Sequence, residues 1–130
     1  VEIGSEAPGY QNDSPSDLTF WVNGIELGTW CSPGDFGGVR GRLNPPWWWE
    51  NLNQCGTLKV FQIDETGTYI DGVPFGPTKV GDLGILPWAP TRVKIGVKPD
   101  AKNQGGFTIY GRGFGNYEQD LILRIHYRSP

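Results

Sequence analysis

Leu18-Thr-Phe-Trp-Val22, Asn23-Gly24 and Ile25-Glu-Leu-Gly-Thr-Trp30 form the stretch on which the fold turns. Asn-Gly between alternating apolar residues is a strong hairpin signal. Both central residues of a type I′ loop take positive φ, which Asn and Gly tolerate best. Alternation puts Phe20 and Val22 on one face and Thr19, Trp21 and Asn23 on the other. Further strand signals follow. Gly56 to Asp64 reads as one strand with Leu58, Val60 and Ile63 as its apolar positions, and Asp64-Glu-Thr-Gly67 closes it with a turn. Thr68 to Phe75 reads as a second hairpin around Asp71-Gly72. Thr91-Arg-Val-Lys-Ile-Gly-Val97 has strict period two, with Val93, Ile95 and Val97 inward. Gly106 to Gly111 and Asp120 to Tyr127 complete the set. No stretch sustains a helical period beyond about two turns. Seven or eight short strands with glycine and proline punctuation predict an all-β fold, an antiparallel, jelly-roll-like β-sandwich, with a small β-barrel as the alternative.

The chain of 130 residues is the size of one domain. Residues 1–16 read as an N-terminal tail or linker, because their polar and proline residues show no period; 17–130 read as the single β-domain. Glycine (20) and proline (11) mark a turn-rich chain, while six Trp, five Tyr and six Phe argue against disorder. A net charge of −3 disfavours nucleic acid as a partner. No apolar run approaches the roughly 20 residues of a membrane span. The chain opens at Val1 and contains no Met, as expected of a processed product or a module of a longer protein. Cys31 and Cys55 could close a disulfide loop of about 25 residues, worth roughly 3 kcal/mol, or stand as unrelated thiols.

Catalytic signals are weak. The single histidine, His126, has no Ser or Cys nucleophile beside it and no zinc-ligand spacing to the cysteines. Asp35, Glu50, Glu118 and Asp120 are the carboxylates from which a glycosidase pair would be drawn, in a chain small for such a cleft. The glycines of Gly111-Arg-Gly-Phe-Gly115 have no following helix to place amides on a phosphate. Asp35 is the carboxylate around which a structural calcium would gather, although no EF-hand spacing exists; no cofactor is required. The expectation is a protein that is not an enzyme.

The remaining signal is aromatic. Asn44-Pro-Pro-Trp-Trp-Trp-Glu-Asn51 places three tryptophans behind two prolines, and Leu86-Pro-Trp-Ala-Pro90 frames Trp88 in the same way. In an extended segment Trp47 and Trp49 share a face and Trp48 takes the other. Prolines stiffen such segments and lower the entropy lost on contact. Planar rings beside hydrogen-bonding side chains suit pyranose sugars, whose C–H faces pack on indoles. Two or three such rings with a few polar contacts give micromolar to millimolar affinity at about 1–2 kcal/mol per ring. Tyr110 and Tyr117 are secondary platforms, and Arg112, Asn116 and Gln119 are expected to read hydroxyls, with Asp120 serving the turn.

These residues resemble a small non-catalytic carbohydrate-binding module of the soil-metagenome type appended to bacterial endoglucanases. The resemblance, carried by Trp47-Trp48-Trp49 and the Gly111 to Asp120 loop, extends from Asp17 onward. It implies a β-sandwich that binds β-1,4-glucans (cellulose, cellooligosaccharides) and xyloglucan, works outside the cell and targets an attached glycoside hydrolase to polymer. A monomer is expected. A second resemblance competes. Ser32-Pro-Gly-Asp-Phe-Gly-Gly38, Asn44-Pro-Pro-Trp-Trp48 and Gly113-Phe-Gly-Asn-Tyr-Glu-Gln-Asp120 are similar to C-terminal domains of some bacterial helix-turn-helix regulators, where a tyrosine is usual in place of Cys55. It implies a sandwich that senses a small ligand.

Overall fold

The Asn23-Gly24 hairpin forms as the sequence predicts. β2 (Ser16–Val22) and β3 (Ile25–Ser32) pair antiparallel, and Asn23 and Gly24 take φ of 49° and 82°. The computed structural model describes residues 1–129. The other strands are β1 (Glu2–Gly4), β4 (Thr57–Leu58), β5 (Phe61–Ile63), β6 (Thr68–Ile70), β7 (Val73–Gly76), β8 (Val93–Val97) and β9 (Thr108–Tyr110). They form three three-stranded antiparallel sheets, ordered β4-β1-β9, β3-β2-β8 and β5-β6-β7. Among the described residues a single 3₁₀ turn, Val80–Leu83, interrupts the all-β pattern. None of the sheets closes on itself, so the barrel alternative falls.

One core unites the three sheets in a sandwich-like packing. Leu18, Phe20 and Val22 of β2, Leu27 of β3, Ile3 of β1 and Leu83 are buried together. Phe61, Ile63 and Phe75 of the third sheet and Ile95 and Val97 of β8 pack around them. Phe20 lies 4.3 Å from Phe61, and Phe61 lies 5.7 Å from Phe75, ring centre to ring centre. A bulge between Phe20 and Trp21 leaves Leu27 without a ladder partner. At the next residue, Gly28 has φ of 149°, and a Cβ there would stand 2.6 Å from the Phe75 ring. Only glycine lets that ring close over β3. The Asp71-Gly72 hairpin also forms, with φ of 50° and 81° at the turn. Asp64 accepts hydrogen bonds from the Thr66 hydroxyl, Thr66 amide and Gly67 amide, the turn read for that segment. Its side-chain and backbone donors hold its carboxyl at a pKa of about 2.

Three expectations need correction. Residues 1–16 are not a tail: β1 is the central strand of the first sheet, with Ile3 fully buried and Glu2 nearly so. A three-residue strand with an inward carboxylate carries no period to detect. The 56–64 run is two strands rather than one. β4 pairs with β1, β5 pairs with β6, and Val60 stands exposed between them. Asp120 to Tyr127 forms no strand, and its residues are exposed. Its alternation is that of a strand, but it makes no ladder with any other strand.

Candidate functional site

The Pro-Pro-Trp-Trp-Trp segment is built by turns. The Trp48 amide donates to the Pro45 carbonyl at 2.9 Å and the Leu52 amide to the Trp49 carbonyl at 3.2 Å. Although the backbone is not extended, exposure follows the expected alternation. Trp47 (67%) and Trp49 (70%) are open to solvent and Trp48 is half-buried. The Trp48 indole N–H donates to the Asn53 carbonyl at 2.8 Å. Its ring meets Phe114 edge-on at 5.2 Å and Trp47 at 5.9 Å. Phe114 also touches Trp47 at 6.1 Å, so the glycine-rich loop reaches the site through this ring.

Two polar side chains fix the turn, Gln54 from beneath and exposed Arg40 from the surface. Gln54, with no solvent exposure, donates from Nε2 to the carbonyls of Trp49 and Leu52 at 2.8 and 2.9 Å. Its Oε1 accepts from the Gly41 amide at 3.3 Å and from Asn44 Nδ2 at 2.9 Å. Asn44 Oδ1 in turn accepts from the Gly115 amide at 2.6 Å. The Arg40 guanidinium donates to the Trp48 carbonyl at 2.6 Å and to the carbonyls of Asn44 and Pro45. Sequence reading missed Arg40, Gln54 and Phe114. Only the placement of Phe114 between glycines in a loop gave any local sign.

An open depression of about 300 Å³ is lined by Trp47, Trp48, Trp49 and Leu52. A second, of about 250 Å³, shares Trp48 and Leu52 and runs past Asn53 to Glu6–Gly9, Thr108 and Tyr110. The two depressions share Trp48 and Leu52 as lining, and the N-terminal residues Glu6–Gly9 rim the second.

The other nominated residues divide. Tyr110 is 6% exposed, so it is a wall of the second depression rather than a platform, and burial holds its hydroxyl far above the usual phenol range. Trp88 is fully exposed at φ of 65° in the Leu86–Pro90 turn but lines neither depression. Asn116 Oδ1 accepts from the Arg42 amide at 3.0 Å, so its carbonyl group is already engaged. Arg112, Tyr117 and Gln119 line neither depression. Asp120 serves the turn, as expected: its Oδ1 accepts from the Arg112 amide at 2.9 Å.

The loop that carries Phe114 is anchored by Glu2. This carboxylate, on a residue 1% exposed, accepts from the amides of Gly56 (2.9 Å), Asn116 (3.0 Å) and Tyr117 (3.1 Å). Gly115 lies against it, and a Cβ at that position would collide with the carboxylate. Cys55 is half-buried nearby; burial and then the Glu2 charge raise its thiol pKa. Cys31 is exposed on β3 and hydrogen-bonded by Asn103 Nδ2 at 3.8 Å. Both cysteines are free thiols in different surroundings, and the disulfide reading is set aside.

Asp35 ties the N-terminal rim down. Its Oδ2 accepts from the amides of Ala7 and Gln11, each at 2.9 Å. Among the described residues no three His, Cys, Asp or Glu side chains converge as metal ligands. Burial pushes the Asp35 carboxyl pKa up, more than its amide donors lower it. The native state therefore holds that proton more tightly than the unfolded chain does, and stability falls as pH rises through the raised value. Asp35→Asn keeps an acceptor for both amides and removes the buried charge. It is expected to flatten this fall in urea-unfolding midpoints from the ordinary carboxylate range up to neutral pH; an unchanged slope would contradict the assignment.

No protein-family model, curated protein or solved structure matches the chain.

Proposed function

We propose that the chain is a non-catalytic carbohydrate-binding domain that holds a β-1,4-glucan chain, free or xylose-substituted, in the groove beside Trp47, Trp48 and Trp49. One observation carries this reading: two indoles exposed by two-thirds or more sit on a turn held from below by fully buried Gln54. An aromatic pair with no ligand gains nothing from such exposure. A sugar ring gains a platform whose ordering cost is already met in the free protein. Trp47 and Trp48 are inclined at 73°, so they form a corner and not a flat shelf. That corner suits a single chain better than a crystalline cellulose face. A polar group for hydroxyls is Glu6, exposed along the second depression. Trp88 is left out of the groove.

As a module of an exported enzyme, the domain would raise the local concentration of substrate around an attached glycoside hydrolase. Of the four carboxylates considered for catalysis, Asp35 and Asp120 are engaged by backbone amides, which favours the binding role.

Native gels cast with hydroxyethylcellulose, xyloglucan, β-1,3-glucan or xylan test the proposal. Migration should be retarded by the first two, and the retardation should be lost in Trp47→Ala and Trp49→Ala but kept in Trp88→Ala. Equal migration in all four gels contradicts it. The depression beside Tyr110 favours the second reading, a sensor of a small soluble ligand, as in a regulator domain. Thermal stabilisation by a soluble small molecule, with no polymer retention, would select that reading instead.

A further inference from the structure

Residues 121–127, Leu-Ile-Leu-Arg-Ile-His-Tyr, have the composition of a strand and the environment of none. β-branched and aromatic residues are enriched in strands because they fit a half-buried pleated surface. Here Leu121, Ile122, Leu123 and Ile125 are each between 43% and 52% exposed, and Tyr127 is 84% exposed. The segment starts from a fixed point. Asp120 Oδ1 holds the Arg112 amide and lies 2.9 Å from where a Cβ of Gly111 would be, so the loop after β9 closes and returns the chain to the end of that strand.

β9 is hydrogen-bonded to β1 on one side only; its other edge is open, and Ile109 on it is 40% exposed. An open edge beside an unpaired apolar segment is a template for strand addition. The surface area points the same way. The chain exposes 8461 Å², whereas a folded monomer of 14.4 kDa exposes about 6,800 Å². That excess is larger than the roughly 800 Å² per partner that a standard interface buries. Charge agrees as well. The segment from Leu121 onward carries Arg124 and Arg128 and no carboxylate, while the whole chain is at −3.

We propose that Leu121–Tyr127 is a donor strand for a second copy of this chain, pairing antiparallel along the free edge of that copy's β9. The donor and the acceptor edge lie on every copy, so the exchange is reciprocal and closes as a two-fold dimer. It extends the first sheet of each copy from three strands to four and covers Ile109. This replaces the monomer expected from sequence. It does not rest on the sugar-binding proposal: no residue of the donor segment lines either depression, and the acceptor strand meets only the second, through Thr108 and Tyr110, and not the one lined by Trp47, Trp48 and Trp49.

Light scattering after size exclusion, together with isotope-filtered NMR of a dimer mixed from labelled and unlabelled chains, tests it. The expected result is a dimer with intermolecular contacts between Ile109 and the methyls of Leu123 and Ile125. The variant L123D/I125D is expected to be monomeric, with the Trp47–Trp49 turn unaltered. A wild-type monomer overturns the proposal, including one whose strand folds back on its own β9. So does a dimer without Ile109 contacts to the donor segment, whatever the variant does.

Discussion

Gln54→Ala is expected to lower unfolding free energy by about 3–4 kcal/mol, among the larger effects a single substitution produces. Gln54 is completely buried and makes four hydrogen bonds through one amide group. Its removal strands two donors, the Gly41 amide and Asn44 Nδ2, and two acceptors, the carbonyls of Trp49 and Leu52. Each buried group left without a partner costs about 1–3 kcal/mol, reduced where water or the remaining Asn44 contact to the Gln54 backbone compensates. The same change loosens the turn that presents Trp47 and Trp49, so sugar affinity should fall even at temperatures where the fold persists. Gln54→Glu separates the two halves of the amide. It keeps acceptors for Gly41 and Asn44 but sets a carboxylate oxygen against the Trp49 and Leu52 carbonyls. It should be destabilised as well. Urea unfolding measures both variants, and a loss below about 1 kcal/mol for Gln54→Ala would show that the hub does not hold the turn.

The second large effect is expected at Glu2. Its carboxylate accepts three backbone amides from two loops far apart in sequence, Gly56 on one side and Asn116 and Tyr117 on the other. Hydrogen bonds to a charged acceptor contribute about 1.5–3 kcal/mol each in favourable cases. Glu2→Ala should therefore destabilise by about 3–4 kcal/mol. It should also free the Gly111 to Asp120 loop, and with it Phe114, which braces Trp47 and Trp48. Amide exchange at Asn116 and Tyr117 should accelerate well beyond the global change in stability. Glu2→Gln retains one oxygen acceptor and should fall between wild type and alanine. Unchanged exchange at both amides in Glu2→Ala would contradict this anchoring role.

These two residues show where the sequence was readable and where it was not. The hairpins at Asn23-Gly24 and Asp71-Gly72 were legible because positive φ at both turn positions is a local demand met by few residue pairs. The exposed indoles were legible from the prolines in front of them and from three tryptophans that one strand face cannot bury together. Glu2 was not, since a carboxylate in a three-residue strand looks like tail composition until the amides of two distant loops are brought to it. Gln54 and Arg40 acquire partners only after the chain has folded. The break between Leu58 and Phe61 was hidden because each half keeps its apolar residues, and only the choice of neighbouring strand separates them. Residues 120–127 show the opposite error: a good local strand pattern that pairs with no strand of its own chain.

Tyr110, Asn116 and Trp88 are expected at the site from the sequence, and none of them lines the Trp47–Trp49 depression. Tyr110 became a buried wall, Asn116 a brace for the Arg42 amide, and Trp88 an isolated ring on another turn. Residue type identifies what a side chain can do, but burial and prior hydrogen bonds decide which of those capacities stay available to a ligand.

Isothermal titration of cellohexaose into the wild-type chain and Trp47→Ala addresses the groove most directly. The account predicts binding in the micromolar to millimolar range for wild type, and at least a tenfold loss, about 1.4 kcal/mol, in the variant with its unfolding midpoint preserved. Heat of dilution alone from the wild-type chain, or equal affinity in the two proteins, would contradict it.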